Sequence, residues 1–283
     1  MIALLSGLFV LIWATGFIVA GVVSTRADPL TFLAWRHVFS ILVFTGLSLA
    51  VRAPWPRDTR TWRDALVAGI LLHGFYLGGV FWAVSQGLGA GLTGLVTALA
   101  PLLTAALAIP LLHERLVPRQ WFGIAVGIVG VGLILEPRLA SPHGVPLHAL
   151  AVALLATLSL SLGTIWQKRS RPAMDLRVNA AMQFMGALAL TAPVAWTIEA
   201  HRFEHSPALW GALAWAVLGL SVGGISILLV LLKRGAASKV APLLYLSPPV
   251  AALIAVFAFG EALVPIQLVG MVLAVGGAFA ARH

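Results

Sequence analysis

Cysteine is absent from the sequence, which removes disulfides and thiolate metal centres. Charge is scarce too. Asp, Glu, Lys and Arg make up 10% of 283 residues, against roughly a quarter in a soluble domain. So few charges do not cover a water-facing surface, and an all-α membrane protein is expected. Acid is scarcer than base, nine residues against 18. All nine acids sit near the ends of apolar runs or between them. None falls mid-run, where proton- or sodium-coupled carriers normally keep a carboxylate. No G-x-x-x-x-G-K-[ST] run occurs, which argues against ATP-driven work by this chain. His113-Glu114 opens the metal motif H-E-x-x-H, but Val117 replaces its second histidine. No metal or cofactor is therefore expected. Gly219-Leu220-Ser221-Val222-Gly223 fits the nucleophile-elbow pattern G-x-S-x-G. That pattern needs a strand, a turn and a helix, whereas this stretch lies inside an apolar run.

What the chain has is hydrophobic length: 60% of its residues are apolar. About 20 such residues span a bilayer as a helix. Ten segments can be marked, near 2–24, 30–51, 64–86, 92–112, 120–136, 147–167, 178–199, 208–231, 240–259 and 266–281. The first has no basic start and no small-residue cleavage site, so it is expected to be retained. Placing the N-terminus inside sorts the basic residues. Arg52, Arg57, Arg60, Arg63, Arg115, Arg119, Lys168, Arg169, Arg171, Arg177, Lys233, Arg234, Lys239 and Arg282 fall on the inner side, 14 in all. Arg26, Arg138 and Arg202 are the 3 on the outer side, and Arg36 lies within a segment. This asymmetry predicts ten spans with both termini inside. It also explains the net charge of +9 without a nucleic-acid partner.

The chain repeats itself. Leu99, Pro101, Ala105, Glu114, Leu116, Val117, Pro118, Gln120, Gly123 and Gly130 return 147 positions later as Leu246, Pro248, Ala252, Glu261, Leu263, Val264, Pro265, Gln267, Gly270 and Gly277. Matched Ala and Leu mean little in an apolar chain, but matched Pro, Glu and Gln in one register mean much more. The expected organisation is a first repeat over 1–136, an external linker over 137–147 and a second repeat over 148–283. Each copy holds five segments, an odd number, so the second copy enters the membrane upside down.

Several residues are candidates for function. Pro101 and Pro248 fall near the middles of segments four and nine, where a proline frees a backbone carbonyl. Paired interruptions in inverted halves point to a midplane transport site and are candidate hinges. Glu114 and Glu261 precede Pro118 and Pro265, which suit the first turn of a helix. The expected role of all four is structural, the carboxylates meeting orphan N–H groups. Arg36 and His37 lie about two turns into segment two, and the offset pairs Arg36 with Gln183. Arg36 either snorkels to the outer surface or serves binding or gating. His73 and Tyr76 share a face of segment three. Thr97 shares a face with Pro101, and Tyr245 with Pro248, next to Ser247. Trp13 and Trp166, on the first segments of the two halves, add aromatic faces. The expected cavity set is thus Trp13, His73, Tyr76, Thr97, Trp166, Gln183, Tyr245 and Ser247. Gly123, Gly127 and Gly130, repeated as Gly270, Ala274 and Gly277, form stripes that let helices approach closely within one chain.

Five plus five segments, the inverted repeat, Trp13-Ala14-Thr15-Gly16, Arg36, and the runs Pro101 to Gly123 and Pro248 to Gly270 resemble the drug/metabolite transporter superfamily. More narrowly, the chain is similar to its EamA-type branch of ten-helix bacterial exporters, the aromatic amino acid exporters in particular. The resemblance implies a central cavity between helices 1–4 and 6–9, gating by helices 3, 4, 8 and 9, and supporting helices 5 and 10. It departs from a symmetric pattern at Leu160 opposite Trp13, at Gln183 opposite Arg36, and at Pro110, which has no counterpart. The implied function is alternating-access export of small metabolites, amino acids including aromatic ones first, across the bacterial inner membrane. An organic-cation exporter of the same fold is the alternative, followed by an intramembrane serine hydrolase using Ser221 with His37 or His73. Partners are then the substrate and the bilayer; a monomer is expected, with a dimer left open.

Overall fold

A computed structural model describes residues 2–113, 117–139, 144–170, 174–224, 226–227, 246–260 and 263–281. Among them every named element is a helix, joined by loops. The elements are α1 (Ile2–Ser24), α2 (Pro29–Ala50), α3 (Thr59–Leu88), α4 (Ala90–Leu112), α5 (Pro118–Leu139), α6 (Leu147–Ser170), α7 (Leu176–Ile198), α8 (Pro207–Gly223), α9 (Ser247–Phe259) and α10 (Pro265–Ala281). The first seven are long and apolar enough to cross a membrane, and the last three are shorter. A single antiparallel bridge joins Ala27 to Phe203 among the described residues.

Polar residues at the helix starts explain where these elements begin. Asp58 accepts the Thr61 N–H at 2.7 Å, which starts α3 at Thr59, several residues before the apolar run near 64. Asp175 accepts the Arg177 N–H at 2.8 Å and caps α7. Pro118 and Pro265 open α5 and α10, and the Gln two residues on completes the cap. Gln120 Oε1 takes the Val117 N–H at 2.9 Å, and Gln267 Oε1 takes the Val264 N–H at 3.1 Å. This is the returning half of a capping box and explains the repeated Pro-x-Gln. Glu114 and Glu261, expected in this role, lie outside the described residues.

Two helices are interrupted in ways the apolar pattern hides. In α4 the helix yields to a turn at Ala98 and Leu99 and restarts at Ala100, with Pro101 in the new first turn. The proline ring blocks continuation over the Thr97 carbonyl. Pro248 holds the same place in the first turn of α9. In α3, Ile70–Phe75 and Val84–Leu88 are wound as π-helix, and in α8 Trp215–Gly223 is too. The offset carries 70–75 onto 217–222, so the widened turns occupy equivalent places. Gly87 and Gly89, at φ 88° and 80°, make the left-handed reversal from α3 into α4.

The packing joins elements 147 residues apart. α5 lies against α10, α2 against α7, and the first part of α4 against α9; α1 contacts α9 as α6 contacts α4. The α5/α10 seam is backbone on backbone. A Cβ added at Gly130 would lie 2.5 Å from the Ala274 nitrogen and 2.6 Å from the Gly270 oxygen. One added at Gly277 would meet the Gly123 oxygen and the Gly127 nitrogen at 2.5 Å. Gln267 Nε2 also donates to the Ile134 carbonyl at 3.0 Å. The small-residue stripes therefore face each other within one chain. At one end of the bundle the α1/α2 and α7/α8 loops are latched. Glu199 accepts the N–H groups of Leu30 and Thr31 at 2.8 and 2.7 Å, and Asp28 accepts the Arg202 N–H at 2.8 Å.

Candidate functional site

The polar residues of the interior gather where α2, α3 and α7 meet. α3 and α7 touch through glycine: a Cβ at Gly69 would strike the Gln183 backbone, and one at Gly186 the Leu66 backbone. This approach sets Gln183 beside His73, one turn beyond Gly69. The His73 ring stacks on Phe184, centroids 4.7 Å apart and 25° between planes. His37 lies against the same phenyl ring at 5.8 Å. Its Nδ1 is 3.1 Å from Thr191 Oγ1, and that hydroxyl donates its proton to the Ala187 carbonyl at 3.0 Å. Nδ1–H is therefore the donor, and Nε2 carries the lone pair. Tyr76 and Arg36 complete the group, with Arg36 within Coulombic range of Tyr76, His37 and His73.

Four of these groups are deeply buried, and His73 is partly buried. Arg36 is 6% exposed, His37 0%, Tyr76 8% and Gln183 5%. Arg36 does not snorkel to the surface. Arg36 Nε, His37 Nε2 and Ser40 Oγ have no hydrogen-bond partner. Arg36 and Ser40 are one turn apart on α2, so these unpaired atoms form a stripe on one face. Unpaired buried polar atoms are costly and rare in folded proteins, and they mark places where something besides packing is served.

Of the expected cavity residues, the fold thus brings together His73, Tyr76 and Gln183, and adds Arg36. Others lie apart. Trp13 lies tilted against Phe9, ring centroids 5.4 Å apart, and remains 40% exposed. Trp166 donates its ring N–H to the Asp64 carbonyl at 3.1 Å, near the start of α3. Thr97 turns its hydroxyl onto the Gly94 carbonyl at 2.6 Å. Ser247 is buried at the start of α9. Tyr245 lies outside the described residues. Phe184 and Thr191 were not foreseen. The 147-residue offset carries His37 onto Phe184, so the repeat held the signal for the first; nothing in the sequence points to the second.

A groove of about 350 Å³ runs between α3, α6 and α7 beside this cluster. Its walls are apolar, and they include Gly74, Gly78, Leu155 and Val194, together with the Thr191 that holds His37. Ser221, the serine of the elbow-like motif, lies in the π-wound part of α8 with its hydroxyl on the Ala216 carbonyl at 3.1 Å.

A helical bundle with several membrane-length helices and a buried polar cluster is that of a multi-pass membrane protein. The sequence profile of the EamA-like transporter family matches residues 1–136 and again residues 147–282. The chain belongs to that family, a transporter family and not an enzyme family. A probable amino-acid metabolite efflux pump of Salmonella typhimurium is 28% identical over 286 residues, covering 96% of this chain and 91% of that protein. The Escherichia coli K12 protein described in the same words is 27% identical over 283 residues, with the same coverage. One solved crystal structure has a similar fold, with a TM-score of 0.67 over 99% of this chain and 96% of its own, at 22% identity.

Proposed function

We propose that the protein is a secondary exporter of small metabolites in the bacterial inner membrane. Amino acids, aromatic ones included, are its first substrates, and it works by alternating access. The carrying observation is the buried group of Arg36, His37, Tyr76 and Gln183, with the partly buried His73 beside it, in a chain of the EamA-like transporter family. A buried polar cluster inside a membrane bundle marks a substrate pathway by default. The two relatives described as probable amino-acid metabolite efflux pumps support the substrate class.

The proposed frame is ten spans with both termini inside, built from two inverted repeats that meet at the linker 137–147. The charge sorting of the loops supports it, as does the packing of α2 on α7, α4 on α9 and α5 on α10. In this frame the latch of Asp28, Glu199 and Arg202 is the outer closure. Pro101 and Pro248 are the hinges, and Arg36, Tyr76, His73 and Gln183 hold substrate. Trp13, Thr97, Trp166, Tyr245 and Ser247 are proposed as the more distant wall of the pathway.

Counterflow tests the reading. Purified protein in liposomes preloaded with an unlabelled amino acid should accumulate the labelled one, with saturation. A full amino-acid panel with no exchange overturns the substrate class. Flux that rises without saturation overturns the carrier mechanism in favour of a channel.

A further inference from the structure

The Arg36 guanidinium is a permanent positive charge in the bundle interior, 6% exposed, and none of its described neighbours is an acid. The groups within Coulombic range are Tyr76, a neutral phenol, and the imidazoles of His37 and His73. Several of the acids are visibly engaged elsewhere. Glu199 binds the start of α2, Asp28 pairs with Arg202, Asp64 with Arg63, and Asp175 with Arg177. A buried cation with no counterion is unfavourable, and a protein that keeps one usually keeps it for a partner that arrives. The unpaired Nε of Arg36 and hydroxyl of Ser40, one turn apart, present donors to such a partner.

We propose that Arg36 receives the carboxylate of the transported molecule, and that this anion is the counterion the interior lacks. The proposal rests on the exporter reading above and sharpens it: transported molecules carry a carboxylate, and organic cations without one are excluded. Guanidinium and carboxylate match as two parallel forks, which an ammonium does not reproduce. One fixed charge is neutralised by a monoanion, whereas a phosphate dianion would leave a buried negative charge.

The test uses intact protein in liposomes and three substrate pairs: phenylalanine with phenethylamine, tyrosine with tyramine, and benzoate with benzylamine. Wild type is expected to exchange the carboxylates at least tenfold faster than the amines. Arg36→Gln should lose that exchange at least tenfold, and Arg36→Lys should recover part of it. Acetate alone should raise the melting temperature of wild type and leave Arg36→Gln unmoved, while inorganic phosphate moves neither. The melting temperature of Arg36→Gln without ligand should be no lower than that of wild type, since a buried unpaired charge has gone. This separates lost binding from lost folding. Equal exchange of amines and carboxylates, or full exchange by Arg36→Gln, overturns the proposal and leaves the exporter standing. Exchange of no pair, with no acetate effect, overturns it together with the amino-acid reading.

Discussion

Two helix pairs in this molecule, α5 with α10 and α2 with α7, each join segments 147 residues apart, and they are built on opposite plans. In the first pair the equivalent residues are alike: Gly123 and Gly270, Gly130 and Gly277, Gln120 and Gln267. In the second they differ: Arg36 and Gln183, His37 and Phe184, Ser40 and Ala187. The difference follows from what each contact requires. Where two backbones touch, both helices are held to glycine or alanine, and both copies obey one rule. Where side chains meet side chains, the two faces are free to be unlike, and an asymmetric cluster forms between them.

The largest effect expected on this contrast comes from filling the glycine seam. Gly130→Val drives a branched side chain into the α10 backbone and should cost about 3 kcal/mol or more. Gly132→Val, with nothing within 4 Å of its Cβ, should change stability by less than about 0.5 kcal/mol. Thermal unfolding of the purified proteins compares them, and equal midpoints would remove the seam's special status. Next comes the α2/α7 pair. Exchanging its unlike members, Arg36→Gln together with Gln183→Arg, should reduce counterflow at least tenfold, about 1.4 kcal/mol. The cause is that His73, which stacks on Phe184, has no polar match across the repeat: the offset carries it to Leu220. Counterflow at the wild-type rate would mean that the two faces are interchangeable after all.

Smaller changes sharpen the comparison at the helix ends. Gln120→Ala and Gln267→Ala each remove a returning cap and should cost about 1 kcal/mol apiece. Similar losses in denaturation would confirm that the two copies share one device; a loss on one side only would break the parallel. The smallest effect separates α7 from α2. α7 is capped by its own Asp175, whereas α2 takes Glu199 from the end of α7. The Arg177 side chain, bonded to Asp175, holds that carboxyl down from 3.8 to about 2. Because the folded value is the lower one, the cap is fully present above pH about 3.8 and is lost as pH falls through about 2. Hydrogen exchange at Arg177 to Asn179 should quicken in that window. Asp175→Ala, which has no side-chain acceptor, should show the faster rate at every pH.

Much of this was legible in the residues. Apolar length gave the helices, and the repeated Pro, Gln and Gly gave the α5/α10 pair with its offset. The spacing put His73 and Tyr76 on one face of a helix; it did not say that Gln183 would lie beside them. The π-wound turns of α3 and α8 were not legible, because an extra residue per turn leaves no mark in a uniformly apolar stretch. Nor was the hydrogen bond that Trp166 donates to the Asp64 carbonyl. A tryptophan looks the same in sequence whether it faces a pathway or donates to a neighbouring carbonyl. The start of α3 was missed for a simpler reason: it is set by Asp58, a capping residue outside the apolar run.

The Gly130–Gly270 and Gly123–Gly277 contacts bear on ancestry. On the duplicated architecture proposed here, each glycine guards the opposite copy's backbone, so neither copy can drift at these places without injuring the other. Elsewhere the copies are free to diverge, and one of them has taken up most of the interior chemistry. The mutual hold of α5 and α10 thus keeps the duplication readable in a chain whose two parts otherwise serve different ends.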